Sequence, residues 1–326
     1  MPPNLVPAGF RLTPKQKRSL SLSLLFSAII YLGFALAAGK QSLLNAASAL
    51  GGTGWLFILG CSFGSYLLRF LRWQYYLRCL GHYLPGLLHF TYYLAGFALT
   101  TTPAKAGETI RSVYLKNHGV PFKHSLASFF CERFQDLIIV TLLASLALLS
   151  FDEYRYFVFI SALTLLILLS ALRSQKLPQF LRYLGSILQI SRIRRMVEHL
   201  AELLESAQAL LQPRRLYSGL LLGLLAWSVQ GLAFYFILAT LGSPLPLTMT
   251  LSIYAISLLA GALSFIPGGI GATETIMYLL LAQAGVDHSL ALVIPIISRV
   301  STLWFAVVLG LLASVNLSLR KDAPVR

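Results

Sequence analysis

The sequence is poor in the residues that soluble catalysis and cross-linking use. Its three cysteines, Cys61, Cys79 and Cys131, lie on or beside apolar stretches and show no CxxC spacing, which gives neither a zinc ribbon nor a disulfide framework. There is no HExxH, no GxSxG and no P-loop, and the six histidines, at 82, 89, 118, 124, 199 and 288, do not form a metal-ligand set. His124 and His288 each stand at the mouth of an apolar stretch, where a lone histidine reads as a headgroup-level polar group rather than a catalyst. Charge is scarce as well: 11% of residues are Asp, Glu, Lys or Arg, and Asp plus Glu number 11 against 26 Lys plus Arg. No catalytic residue, metal or cofactor is expected.

What is abundant is apolar surface. With 326 residues that are 57% hydrophobic and a mean hydropathy of +0.74, the chain has more apolar surface than a water-soluble core absorbs. It reads as an all-α polytopic membrane protein forming one integral unit over residues 1–326. A net charge of +15 would suggest nucleic acid in a soluble chain. Here the cations cluster in loops flanking apolar runs, which is the orientation signal of an inner membrane, so no nucleic-acid partner is expected.

Residues 1–19 hold Arg11, Lys15, Lys17 and Arg18 ahead of an apolar run from Leu20 to Ala38, placing the N-terminus in the cytoplasm. Ala35-Leu36-Ala37 resembles a signal cleavage site, yet the run before it has the length of a span. A second span, about Thr53 to Leu71, ends in Arg69, Arg72 and Arg78, read as its basic flank. Further spans are expected over about His124–Ser150, Tyr154–Leu172, Leu216–Leu241 and Ser289–Leu317. The last delivers Arg320, Lys321 and Arg326 to the cytoplasm. Between the halves, residues 173–215 carry Ile193, Met196, Val197, Leu200, Leu203, Leu204, Ala207, Leu210 and Leu211 at helical spacing, an amphipathic connector expected to lie on the inner surface.

Two stretches do not fit simple spans. Ile266-Pro267-Gly268-Gly269-Ile270-Gly271 breaks an apolar run, because proline removes a backbone donor and glycine weakens the helix. Pro103, Gly107, Glu108, Gly119 and Arg133 recapitulate Pro267, Gly271, Glu274, Gly285 and Arg299, and His-Ser-Leu-Ala recurs at 124–127 and 288–291. If residues 86–117 crossed the bilayer, Lys105, Arg111, Lys116 and Lys123 would lie toward the outer face, against the charge rule. A re-entrant hairpin keeps each of them inside or lining a cavity, and 247–284 forms a second hairpin from outside. The expected architecture is six spans and two opposed re-entrant hairpins, in inverted repeats of about 53–150 and 216–317. Such interrupted segments in corresponding places point to a transporter's binding site.

Arg133 lies about 14 Å along its helix from His124, and Arg299 about 16 Å from His288, so both approach the midplane, where a charge needs a partner or water. Glu108, Glu132, Asp136 and Glu274 are the available carboxylates. One reading pairs Glu108 with Arg133 and Glu274 with Arg299 to pin each hairpin. A compatible one has Arg111, Arg133 and Arg299 form a polar cavity for an anionic headgroup, since guanidinium matches phosphate oxygens. Tyr92, Tyr93, Tyr114 and Tyr278 are expected to pack rather than bind.

Pro103-x-x-x-Gly107-Glu108-x-x-Arg111, Glu132-Arg133-x-x-Asp136 and Pro267-Gly268-Gly269-x-Gly271-x-x-Glu274 together resemble the lysylphosphatidylglycerol synthase transmembrane (flippase) family over residues 20–317. The resemblance implies a flippase for a membrane lipid. Two-domain relatives add a soluble domain for aminoacyl transfer, and residues 1–326 hold no counterpart of it, so lysyl transfer is not expected. A lipid-modifying enzyme and an ion or small-anion transporter are the alternatives. Whether the chain forms a homo-oligomer, and which lipid it takes, the residues do not select.

Overall fold

The computed structural model describes residues 29–31, 33, 36, 39–149, 155–187 and 191–322. Among them all regular structure is helical. Helix α1, Lys40–Cys79, is 40 residues long and bends at Gly51, where φ is 60°. The Trp55 indole donates to the Ala47 carbonyl at 3.2 Å beside that bend, taking an acceptor the bend exposes. Helix α8, Pro213–Thr240, runs beside α1 as the most extensive helix pair of the fold.

This geometry corrects one expectation. The helix does not stop near Leu71 with Arg69 and Arg72 on a basic flank; it continues to Cys79, and both arginines are buried inside the protein. Burial is tolerated because polar partners meet them from other helices. Of the three arginines read as a flank, Arg78 alone is exposed, in the last turn.

Both expected breaks form hairpins. In the first, α2 (Gly86–Gly96) passes through tight turns at Phe97–Leu99 and Pro103–Ile110 into α3 (Arg111–Lys116), which packs back on α2. In the second, α9 (Leu247–Leu263) turns at Pro267–Gly269 into α10 (Ala272–Gln283), and the two limbs pack together. Thr102 and Ile266 are extended, as the residue before a proline must be. The two hairpin tips touch one another.

Helix α4 (Phe122–Ala144) follows the first hairpin, and α11 (His288–Arg299) follows the second. After Arg299 the helix widens into a π turn, Val300–Trp304, and resumes as α12, Phe305–Asp322. Packing is reciprocal between the halves: α2 rests on α12, and α9 rests on α4.

Between them lie α5 (Arg155–Arg173), α6 (Lys176–Ile187) and α7 (Ser191–Leu210). Helix α7 is the expected amphipathic connector, but its apolar face is divided. Val197, Ala201, Leu204, Ala207 and Leu210 are buried, with α7 packed on α4 and α6, while Ile193, Met196 and Leu200 stay exposed.

By length and composition three helical stretches can cross a membrane: α1, α8, and His288–Leu319 comprising α11 and α12. A fourth arises if α5 and α6, bent by 63°, count as one. Helix α4 is long enough, at 23 residues or about 34 Å, but carries Lys123, Glu132, Arg133 and Asp136. The expected Leu20–Ala38 span lies mostly outside the described residues; of it, 29–31, 33 and 36 are helical.

Candidate functional site

At the second break the backbone itself needs a partner. Gly271 takes φ 90°, a conformation L side chains rarely adopt, and opens α10 as its N-cap. Its N–H donates to Glu274 Oε2 at 2.7 Å. The other oxygen of Glu274 accepts from Arg299 Nε at 2.9 Å and from the Tyr31 hydroxyl at 2.7 Å. Arg299 also donates to the Gly268 carbonyl, an acceptor released by the turn. Glu274 thus ties the hairpin tip, the π-turn helix and the N-terminal helical residues together while fully buried. The expected pair Glu274 with Arg299 is formed.

At the first break the expected pair Glu108 with Arg133 is not formed as a direct contact. Glu108 accepts from Arg111 Nη2 at 2.7 Å and from Thr100 Oγ1 at 2.8 Å. Arg111 lies one helical turn along the same segment, so it reaches the carboxylate without crossing to another helix. Arg133 instead meets Asp136 at 3.3 Å and Glu132 at 3.5 Å on its own helix.

These contacts join into a chain. Arg72 of α1 lies 2.6 Å from Asp136 and 3.6 Å from Glu132, and Arg111 lies 3.5 Å from Glu132. Asp136 also accepts from the Trp227 indole of α8 at 3.0 Å, and Glu132 from the Tyr93 hydroxyl at 3.0 Å. Arg111 is further enclosed by Trp73 and Tyr93, whose ring centroids lie 4.3 and 4.6 Å from its guanidinium carbon. Three arginines and three carboxylates therefore neutralise one another across α1, α4 and the first hairpin. Buried pairs of this kind hold geometry, and breaking one is more costly than forming it is favourable.

Between this chain and the second hairpin lies a cavity of ≈ 50 Å³, room for about three to five waters. Its wall draws on both halves: Tyr66 and Arg69 of α1, Lys105 and Glu108 of the first tip, Gln230 of α8, and Arg299 are among its lining residues. Arg69 stacks over Trp227 at 4.0 Å and donates to Gln230 at 3.2 Å. Tyr66 donates to the Thr302 carbonyl, an acceptor within the π turn. Lys105 and Phe265, one in each break, are the non-glycine residues with positive φ among the described residues, at 56° and 55°. Holding such a residue left-handed costs of order 1–3 kcal/mol, and such strain collects at functional sites.

Of the residues expected to bind substrate, Glu108 and Arg299 line this cavity, whereas Arg111, Arg133, Asp136 and Glu274 do not. Of the three arginines expected to form a headgroup cavity, Arg299 lines this one, while Arg111 and Arg133 meet carboxylates of the first hairpin and α4. Of the break residues, Pro103 opens the first 3₁₀ turn and Gly107 lies within it, while Pro267, Gly268 and Gly269 form the second and Gly271 caps α10. Tyr92, Tyr93, Tyr114 and Tyr278 do pack: Tyr92 stacks on Tyr114 with centroids 5.2 Å apart, and Tyr278 meets the ring of His288. Sequence reasoning missed Arg69, Arg72 and Tyr31 as site residues, whereas Lys105, expected inside or lining a cavity, does line one. The usable signal was Arg69-x-x-Arg72-Trp73, one turn of cations with an aromatic on an otherwise apolar helix.

Comparison with known proteins finds membrane proteins. A UPF0104 membrane protein of Methanothermobacter thermautotrophicus is 28% identical over 234 residues, covering 67% of this chain and 70% of that protein. A UPF0104 membrane protein of Pyrococcus horikoshii is 33% identical over 97 residues, covering 30% of this chain and only 29% of that relative's length. The family model described as the lysylphosphatidylglycerol synthase TM region matches residues 20–310. The chain belongs to that family of membrane proteins.

Proposed function

We propose that this protein moves a membrane lipid with an anionic or zwitterionic headgroup between leaflets, through the cavity where the two hairpin tips meet. The observation that carries the reading is that contact: two broken helices, one from each half, converge on a cavity lined by cations from both. Non-helical backbone at membrane depth is tolerated only against protein or a water-filled cavity, and a headgroup needs such a passage. Reciprocal packing of α2 on α12 and α9 on α4 supports an inverted repeat, the plan whose sites lie near the midplane. In this reading the chain has six spans and two opposed re-entrant hairpins, sits in the cytoplasmic membrane and keeps both termini inside. It alters no covalent bond of its substrate. The cavity is too small to hold a whole lipid, so acyl chains remain in the bilayer while the headgroup passes.

The test uses purified protein in vesicles of phosphatidylcholine with a headgroup-accessible fluorescent phosphatidylglycerol. Faster loss of inner-leaflet fluorescence to an external quencher than in empty vesicles is expected, with the lipid's mass unchanged. A protein-dependent change of mass sinks the reading in favour of an enzyme. Electrical current without lipid movement sinks it in favour of an ion transporter.

A further inference from the structure

The charges of the polar interior do not balance, and the imbalance has an address. Six cations, of which Arg69, Arg72, Arg111 and Arg299 are buried and Lys105 and Arg133 partly exposed, face four buried carboxylates, Glu108, Glu132, Asp136 and Glu274. Arg72, Arg111 and Arg133 are matched by Glu108, Glu132 and Asp136, and Arg299 by Glu274. The remainder is Arg69 and Lys105, which make no ion pair among the described residues, and both line the same cavity. Arg69 is 5% exposed, its Nε is buried without a partner, and its hydrogen-bonded neighbour Gln230 is neutral. A buried cation and a partly exposed one on a single cavity wall, neither with a carboxylate of its own among the described residues, call for an anion.

We infer that the cavity is a site for a phosphate monoester dianion, held between Arg69 and Lys105. A phosphate monoester carries nearly two negative charges above its second pKa of about 6, whereas a diester carries one. Two charges match the surplus; one leaves a cation on this wall uncompensated. The planar fork of Arg69 suits two phosphate oxygens, Lys105 supplies a compact point charge, and Arg299 stands on the same wall, as does Glu108, whose carboxylate is held by Arg111 and Thr100. A tetrahedral phosphate has four oxygens, and the cavity has room for about that many waters. The inference rests on the translocation reading, since it names the headgroup class the same cavity takes, so binding and movement are measured separately.

The binding test titrates the purified full chain in detergent at pH 7.5 with dihexanoyl phosphatidic acid, dihexanoyl phosphatidylglycerol and inorganic phosphate. Phosphatidic acid is expected to bind at least about tenfold more tightly than phosphatidylglycerol, the factor that about 1.4 kcal/mol represents. Arg69→Gln and Lys105→Gln are each expected to erase most of that preference, and Arg69→Lys, which keeps the charge, to retain part of it. Lys105 is partly exposed and makes no ion pair, so Lys105→Gln carries the test should Arg69→Gln fail to fold. Equal affinity for the two lipids, or a preference unchanged in both Gln variants, overturns the inference. Inorganic phosphate binding as tightly as phosphatidic acid upholds the phosphate-dianion chemistry and assigns the site to the free ion. If the preference holds but no lipid crosses the vesicle membrane, the translocation reading falls and this site stands. If lipid crosses and the diester is preferred, this inference alone falls.

Discussion

Each buried charge in this protein is defined by what neutralises it. Arg72 and Arg299 are both held by carboxylates that have no water to turn to. Arg72→Met leaves Asp136 and Glu132 with one partner fewer, and Arg299→Met leaves Glu274 buried with no cation. Breaking a buried pair costs about 3–5 kcal/mol, so both variants are expected to melt well below the wild type in detergent and to accumulate poorly. The double variant Arg299→Met with Glu274→Gln is expected to recover much of the loss, because glutamine keeps an acceptor for the Gly271 N–H while removing the orphan charge. A double variant no more stable than Arg299→Met refutes the pinning role. Arg69 and Lys105 differ in kind, since neither has an ion-pair partner among the described residues whose loss would orphan a carboxylate.

The hairpins depend on how closely their backbones approach. A Cβ on Gly107 would lie 2.5 Å from Leu99 Cβ and 2.7 Å from the Leu99 carbonyl, within the first tip. Backbone cannot yield as a side chain does, so Gly107→Ala is expected to destabilise by about 1–3 kcal/mol. It should also displace Glu108, its neighbour, and slow lipid movement. Gly60→Ala is the control: it adds a methyl facing open space on helical α1 and removes a helix-weakening glycine. Equal melting temperatures for the two variants would show that the tip is not closely packed. The second tip solves the same problem with left-handed glycines, and the capping carboxylate Glu274 then binds what the turn frees.

For the whole molecule, the proposed opposed arrangement makes a prediction about sides. With Cys61, Cys79 and Cys131 replaced by alanine, Asn117→Cys and His288→Cys place one exposed thiol at the outer end of each hairpin. An impermeant maleimide added to intact cells is expected to label His288→Cys and to leave Asn117→Cys unlabelled until the cells are opened. Labelling of both from outside refutes the opposed hairpins. The two halves are not equal copies, however. Glu132 precedes Arg133 and Asp136 follows it by three, whereas Ser298 and Thr302 occupy those places around Arg299. Arg299 therefore takes the carboxylate of its hairpin, while Arg133 is held on its own helix and Glu108 turns to Arg111.

The helical class, the two breaks and the pairing of Glu274 with Arg299 were legible in the amino-acid order, because hydropathy, Pro-Gly runs and repeated spacing are local or periodic properties. The same spacing misled for Glu108 and Arg133, since repeated distance along the chain does not record which carboxylate is nearer in space. Arg69 and Arg72 at the end of an apolar run look like a membrane flank from within any sequence window. Their partners Gln230 and Asp136 lie 161 and 64 positions away. Only the tertiary structure brings those groups together, and only it leaves Arg69 and Lys105 as the cations on the cavity wall without a carboxylate of their own. Desolvation forces every buried charge to find compensation, and where that compensation lies is a matter of packing rather than of sequence order.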